Sequence, residues 1–144
     1  MSGFSLFELF KTDAEGQLSV LNDGLLRLER EPDDATVVEP LMRAAHSIKG
    51  AARIVGLDVI VQLAHAMEDC LVAVQRGQEK IVPARIDQLL RGTDLLAQAA
   101  ALDEATVAPW SESHGAEIAE VAAALRSAPP EQGPASSAAP PAAT

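Results

Sequence analysis

The chain has one cysteine in 144 residues, Cys70, and no tyrosine. A lone cysteine excludes an internal disulfide and any zinc site built on cysteine pairs. Aromatic residues make up only 3% of a chain that is 48% hydrophobic, so its apolar content is Leu, Val, Ile and Ala, most of it helix-friendly. Basic residues are scarce: Lys and Arg total 11 against 21 Asp and Glu, a formal charge of −10. Binding to a phosphate backbone draws on Lys/Arg counterion release, and anionic lipid attracts basic segments. A chain this acidic is therefore expected to bind neither nucleic acid nor a membrane surface. No apolar run approaches the roughly 18 uncharged residues of a spanning helix, so membrane insertion is not expected. The opening Met1-Ser-Gly-Phe-Ser-Leu-Phe-Glu8 carries an acid and lacks the basic start of a signal peptide. By elimination the expected compartment is the cytoplasm.

Chemical signatures are missing too. There is no GxxxxGK[ST] loop, so the chain is not expected to bind ATP by itself, and no Gly-x-Ser-x-Gly elbow for a serine nucleophile. Di-metal bundles use Glu-x-x-His from two helices; here there is one reversed pair, His65-x-x-Glu68, and no second copy. No metal or other cofactor is expected within the chain.

What is present is helical periodicity. From about Ser5 to Glu29, Phe7, Phe10, Ala14, Leu18, Leu21, Leu25 and Leu28 recur every three or four residues, after a Ser5-x-x-Glu8 capping box. Pro32-Asp33-Asp34 breaks the chain, and either acid can cap a second helix over about Ala35 to Val55. That helix carries Val38, Leu41, Ala45, Ile48, Ala52 and Val55, with Pro40 tolerable only near its first turn and Gly56 as its stop. A third, capped by Asp58, carries Ile60, Leu63, Ala64, Met67, Leu71 and Val74 and ends at Gly77. Pro83 opens a fourth at its N1 position, with Ile86, Leu89, Leu90, Thr93, Leu96, Ala97 and Ala100 as its stripe. A weaker fifth helix, about Gly115 to Arg126, carries Ile118, Val121, Ala122 and Leu125. Together these predict an all-α, antiparallel four-helix bundle with a short fifth helix packed on one end. The bundle is expected to occupy residues 1–127, its core about 5–103 and the accessory helix about 115–126. From Pro129 to Thr144 the chain holds five Pro, five Ala, two Ser and one Gly. That composition cannot bury a core, and residues 128–144 are read as a flexible linker to further domains, with a frayed terminus as the ordinary alternative.

The second helix departs from plain bundle logic. His46 lies about 100° round from Ala45, at the edge of the apolar stripe. Its helical neighbours are Arg43, Lys49, Gly50 and Arg53, and no acid stands between Glu39 and Asp58. Gly50 costs roughly 1 kcal/mol of helix propensity against Ala and leaves open space beside the imidazole. A bare imidazole, nearby cations and an uncrowded approach suit phosphoryl transfer to histidine. One ring nitrogen attacks phosphorus while the other holds the proton, and positive charge steadies the transferring anion. A carboxylate accepting the second N–H would fix the tautomer. The third helix offers one: across a hairpin about Gly56, ten residues back to His46 and twelve on to Glu68 are similar heights. His65, Glu68 and Asp69 share one face. Each feature also has an ordinary reading: His46 as a boundary histidine, Lys49 and Arg53 as a solvated face, His65 and Glu68 as a surface pair. Met42 and Met67 read as packing, Cys70 as a small buried hydrophobe and His114 as a loop histidine.

The run Ala44-Ala45-His46-Ser47-Ile48-Lys49-Gly50, with Gly56 following, resembles the signature of histidine phosphotransfer (HPt) domains. It is most similar to the amino-terminal domain of CheA-type chemosensory histidine kinases, and His65-Ala66-Met67-Glu68-Asp69 matches a second block of that subgroup. The stretches Ala51-Ala52-Arg53-Ile54-Val55-Gly56 and Met67-Glu68-Asp69-Cys70 are closest to Wsp-type hybrid kinases. The resemblance covers about residues 5–103. It implies that His46 accepts a phosphoryl group on Nε2, that Glu68 holds Nδ1 and that Lys49 contacts the phosphoryl group. Gly50 then clears access and His65 supports the pair. Arg53 stands where many relatives keep a small residue, and it either adds charge, as Arg43 does, or narrows access. The implied partners are an ATP- and Mg²⁺-using histidine-kinase core, in the same polypeptide or a dimer mate, and a response-regulator receiver whose aspartate takes the group. The chain would be a carrier rather than the kinase, and a monomer when isolated. The alternative is a non-catalytic helical module that docks a signalling partner.

Overall fold

The computed structural model describes residues 5–127. The expected linker, 128–144, lies outside the described residues. Six α-helices follow one another: α1 Leu6–Arg30, α2 Val38–Ile54, α3 Asp58–Gln75, α4 Pro83–Ala101, α5 Glu104–Ser113 and α6 Gly115–Arg126. A single 3-10 turn, Ala35–Val37, leads into α2. Among the described residues no helix is long and apolar enough to cross a membrane.

Local sequence sets the boundaries. Ser5 caps α1 by accepting the Glu8 N–H at 3.1 Å, as the capping box predicts. Asp34 accepts the Thr36 N–H at 3.1 Å, so it caps the 3-10 turn rather than α2 itself, and Pro40 stands in the first turn of α2. Asp58 is the first residue of α3, not its cap; Leu57 holds the cap position and offers no side-chain acceptor. The aspartate instead sets its charge against the positive end of the helix. Gly56 and Gly77 adopt φ of +76° and +74°, where a side chain would be strained. Each closes its helix with paired backbone bonds: Leu57 N–H to Ala52 O at 3.0 Å with Gly56 N–H to Arg53 O at 3.2 Å, and Gln78 N–H to Ala73 O at 2.9 Å with Gly77 N–H to Val74 O at 3.1 Å. These short turns make α2–α3 and α3–α4 antiparallel neighbours.

The buried faces agree with the periodicity. Leu21, Leu25, Leu28, Leu41, Leu63, Leu71 and Leu89 are all fully buried. Helix α1 packs on α2 and α4, and α2 packs on α1 and α3. Ala97, expected in the α4 stripe, is exposed; Leu95 and Ala99 are buried instead. Met67 is fully buried and Met42 partly buried, both in the core as expected of packing residues.

Helix α6 does not sit on one end of the bundle. It lies lengthwise over α3 and α4 and buries Ile118, Val121, Ala122 and Leu125. Its direction is antiparallel to α4: Arg85 reaches Ala124 and Ser127, while Arg91 reaches Glu117. Helix α5 has no counterpart in the predicted elements. It buries only Val107 and contains Pro109, so it shows no stripe, and a proline in its second turn reads as a break. Asp103 nonetheless caps it, accepting the Thr106 N–H at 3.0 Å.

Candidate functional site

His46 lies near the middle of α2, and the Gly56 turn brings Glu68 of α3 level with it. The His46 Nδ1 is 2.7 Å from Glu68 Oε2. The second carboxylate oxygen, Oε1, is shielded from solvent and lies 2.8 Å from the Lys49 ammonium. Glu68 and Lys49 are mostly covered, at 16% and 13% side-chain exposure, whereas the imidazole is 65% exposed. Burial alone would push the Glu68 carboxyl up. Hydrogen bonds from Lys49 and His46, with the lysine's charge, outweigh that and hold it below the ordinary carboxylate range. Glu68 is therefore an ionised acceptor at neutral pH. Its partner nitrogen must donate, which places a proton on Nδ1; in the neutral ring the lone pair is then on Nε2.

The cations are distributed differently from the patch that the sequence suggests. Arg43 is 3.1 Å from Glu39 one turn back, and Lys49 is committed to Glu68. Among the described residues Arg53 makes no ion pair; it is exposed in the last turn of α2, where a positive charge also suits the helix end. A Cβ built on Gly50 would meet nothing within 4 Å, so the space beside the imidazole is open. His65 is not drawn into the His46–Glu68–Lys49 set; its Nε2 lies 3.5 Å from Asp69 on the same helix. The structure thus brings His46, Glu68 and Lys49 together, leaves Gly50 clear, and turns Arg43 and His65 towards acids of their own helices. No cluster of three or more metal-ligating side chains occurs among the described residues.

One hollow surrounds the histidine, and a second lies beyond Ser47. Met42, Arg43, His46, Ser47 and Glu68 line a shallow depression around the ring. Ser47 also borders an apolar groove between α1 and α2, walled by Leu6, Leu9, Phe10, Ala51 and Ile54. Leu6, Leu9 and Ile54 are large apolar side chains left 62%, 48% and 67% exposed. Asp13 of α1 stands in the same groove and accepts a 3.1 Å hydrogen bond from the Ser47 hydroxyl.

Sequence reasoning overlooks a second polar cluster. Arg85 is fully buried, and its guanidinium donates to Glu79 Oε2 at 2.7 Å, Gln88 Oε1 at 2.8 Å, and the Ala124 and Ser127 carbonyls at 2.9 Å each. It caps the end of α6 and fixes that helix to the start of α4. The signal was a charge in line with an apolar stripe, since Arg85 precedes Leu89, Gly92 and Leu96 on one face. Cys70 borders this cluster and is buried as expected. Burial, with the Glu79 charge, pushes its thiol up to about 12, so it carries no thiolate at neutral pH.

The Hpt domain family matches residues 5–105. Among curated proteins, the chain is 34% identical over 91 residues to the sensor histidine kinase CheAY of Helicobacter pylori, covering 63% of this chain and 11% of that protein. The chain therefore spans a small fraction of the length of such a relative. Among solved structures, the CheA phosphotransferase domain from Thermotoga maritima aligns with TM-score 0.65 and 28% identity, over 69% of this chain and 96% of that one. The phosphorylated P1 domain of CheA3 in complex with CheY6 from R. sphaeroides aligns with TM-score 0.70 and 26% identity, over 84% of this chain and 95% of that one.

Proposed function

The chain belongs to the Hpt domain family, and on that premise we propose that His46 is its phosphoryl acceptor, the group being carried on Nε2. The observation that carries this reading is the 2.7 Å contact from Nδ1 to an ionised Glu68, which engages one nitrogen of a largely exposed ring and makes Nε2 the lone-pair nitrogen of its neutral form. In the reaction the Nε2 lone pair forms the N–P bond while the donor's P–O bond breaks. The ring gains positive charge that Glu68 stabilises through the Nδ1 proton. Lys49 holds the carboxylate in place, and to touch a phosphoryl group on Nε2 its ammonium would have to share itself between that group and Glu68. Gly50 keeps the approach uncrowded. Arg53, which makes no ion pair among the described residues, supplies a further positive charge on the same helix.

The donor is a histidine-kinase core, in the same polypeptide or a dimer mate, which uses ATP and Mg²⁺; the acceptor is an aspartate of a response-regulator receiver. The complex of a phosphorylated P1 domain with CheY6 supports a receiver as the downstream partner. The chain itself is a carrier, cytoplasmic and monomeric when isolated.

The test is transfer in both directions. Incubated with a chemosensory kinase core, ATP and Mg²⁺, the chain takes acid-labile, base-stable label, and a receiver added afterwards removes it. His46→Gln takes none while keeping wild-type helix content. A second reading, a docking module without chemistry, is favoured by the exposed groove of Leu6, Leu9 and Ile54. Partner binding that persists while wild type takes no label from an active core would establish it.

A further inference from the structure

Three acids contact side chains that neighbour His46 along α2, and two of them are charge-balanced. Glu68 is paired with Lys49 at 2.8 Å and Glu39 with Arg43 at 3.1 Å. The third, Asp13, is different. Its only hydrogen-bond partner among the described residues is the neutral hydroxyl of Ser47, at 3.1 Å, and no cation pairs with it there. Ser47 follows His46 in the chain and lines both the depression around the imidazole and the groove that holds Asp13. The acid is thus linked to the site through Ser47, from the α1 side of α2, whereas the Lys49–Glu68 pair joins it from α3.

We propose that Asp13 is an electrostatic determinant of the carrier's transfer equilibrium: its unbalanced charge raises the energy of the phosphorylated state and so favours passing the group on. The inference rests on His46 being the acceptor. Phosphorylation places a doubly negative phosphoryl group on Nε2 against a single positive charge gained by the ring, so the site becomes more negative beside an acid with no counter-ion. Asp13 touches neither the donor nor the reacting nitrogen. It acts through space, from a position that the α1 backbone fixes.

The experiment uses phosphoramidate as the donor, which needs no kinase. The Nε2 electron pair attacks phosphorus, the donor P–N bond breaks with its electrons going to ammonia, and the Nδ1 proton stays shared with Glu68. The fraction phosphorylated at equilibrium is read by intact mass for wild type, Asp13→Asn, Asp13→Glu and Ser47→Ala, at low and high salt. Asp13→Asn is expected to raise the equilibrium constant about threefold at low salt, with the gain shrinking as added salt screens the charge. Asp13→Glu and Ser47→Ala, which keep the charge, stay near wild type. An Asp13→Asn equilibrium equal to wild type would overturn the proposal. So would a gain indifferent to salt or reproduced by Ser47→Ala, since each would make Asp13 a structural anchor only. Failure of wild type to take any phosphoryl group, with His46 unmodified, would instead remove the acceptor assignment itself.

Discussion

The Nδ1 of His46 and the Oε2 of Glu68, twenty-two residues apart in the chain, lie 2.7 Å from each other across the α2–α3 hairpin. The contact depends on a two-sided arrangement, because Lys49 binds the other carboxylate oxygen at 2.8 Å and keeps Glu68 ionised in a mostly covered position. Replacing the carboxylate therefore affects both chemistry and stability. Glu68→Ala is expected to slow phosphoryl labelling about 10- to 100-fold, as losing the partner that orients a reactive imidazole commonly does. It also leaves the Lys49 ammonium covered and unpaired, at a cost of about 1–3 kcal/mol. Single-turnover labelling and denaturant melts measure the two effects, and unchanged labelling kinetics would remove Glu68 from the site.

The same carboxylate gives a stability signature at low pH. Burial raises its pKa, but the Lys49 and His46 hydrogen bonds lower it by more, to a net value below 4.5. A carboxylate depressed in the folded state contributes stability that is fully present above its unfolded pKa and is lost as pH falls through the folded one. The stability difference between wild type and Glu68→Gln should thus be constant from neutrality down to about pH 5 and shrink below about pH 4.5. Urea melts across that range check it, and a difference that does not change with pH would show that Glu68 titrates normally.

How much of this was legible beforehand depends on the kind of interaction. Helix periods, the Ser5 cap and the Gly56 and Gly77 stops are local, and the sequence states them within a few residues of where they act. The level placement of His46 and Glu68 also follows from counting along the hairpin. What could not be read is where long side chains spend their charge. Arg43, Lys49 and Arg53 read as one cationic patch around the histidine, yet Arg43 and Lys49 each have an acid within reach, and only tertiary packing brings Glu68 to Lys49. Helix α5 presents no stripe to read, because Val107 is its only buried residue. The position of α6 is not legible locally because its polar anchor, Arg85, lies about forty residues earlier.

Two mid-helix glycines should respond to alanine with opposite signs. At Gly50 a Cβ meets open space, so Gly50→Ala gains about 0.5–1 kcal/mol of helix propensity. At Gly24 it would stand 2.5 Å from Leu41 Cδ2 and 3.0 Å from Leu41 Cγ, where α1 meets α2. Overpacking of that kind costs about 1–3 kcal/mol, enough to outweigh the propensity gain. Thermal melts that move both variants in one direction would contradict the close α1–α2 approach.

The Arg85 cluster predicts a strong dependence on pairing. Arg85→Met strands Glu79, only 8% exposed, and leaves the Ala124 and Ser127 carbonyls without their donor. A loss of about 3–5 kcal/mol is expected, with part of it recovered in the double variant Arg85→Met/Glu79→Met, which buries no unpaired charge. A chemical-denaturation cycle over the four proteins gives the coupling. Additive losses would mean that the two side chains do not depend on each other.

The central claim concerns one nitrogen, and it can be measured directly. The chain, with ¹⁵N-labelled histidine, is phosphorylated by a chemosensory kinase core with ATP and Mg²⁺, and the imidazole nitrogens are followed by NMR. The account predicts a single phosphohistidine, at His46, bonded through Nε2, with the proton still on Nδ1. Phosphate on Nδ1, on His65 or on His114, or label that survives in His46→Gln, would contradict it.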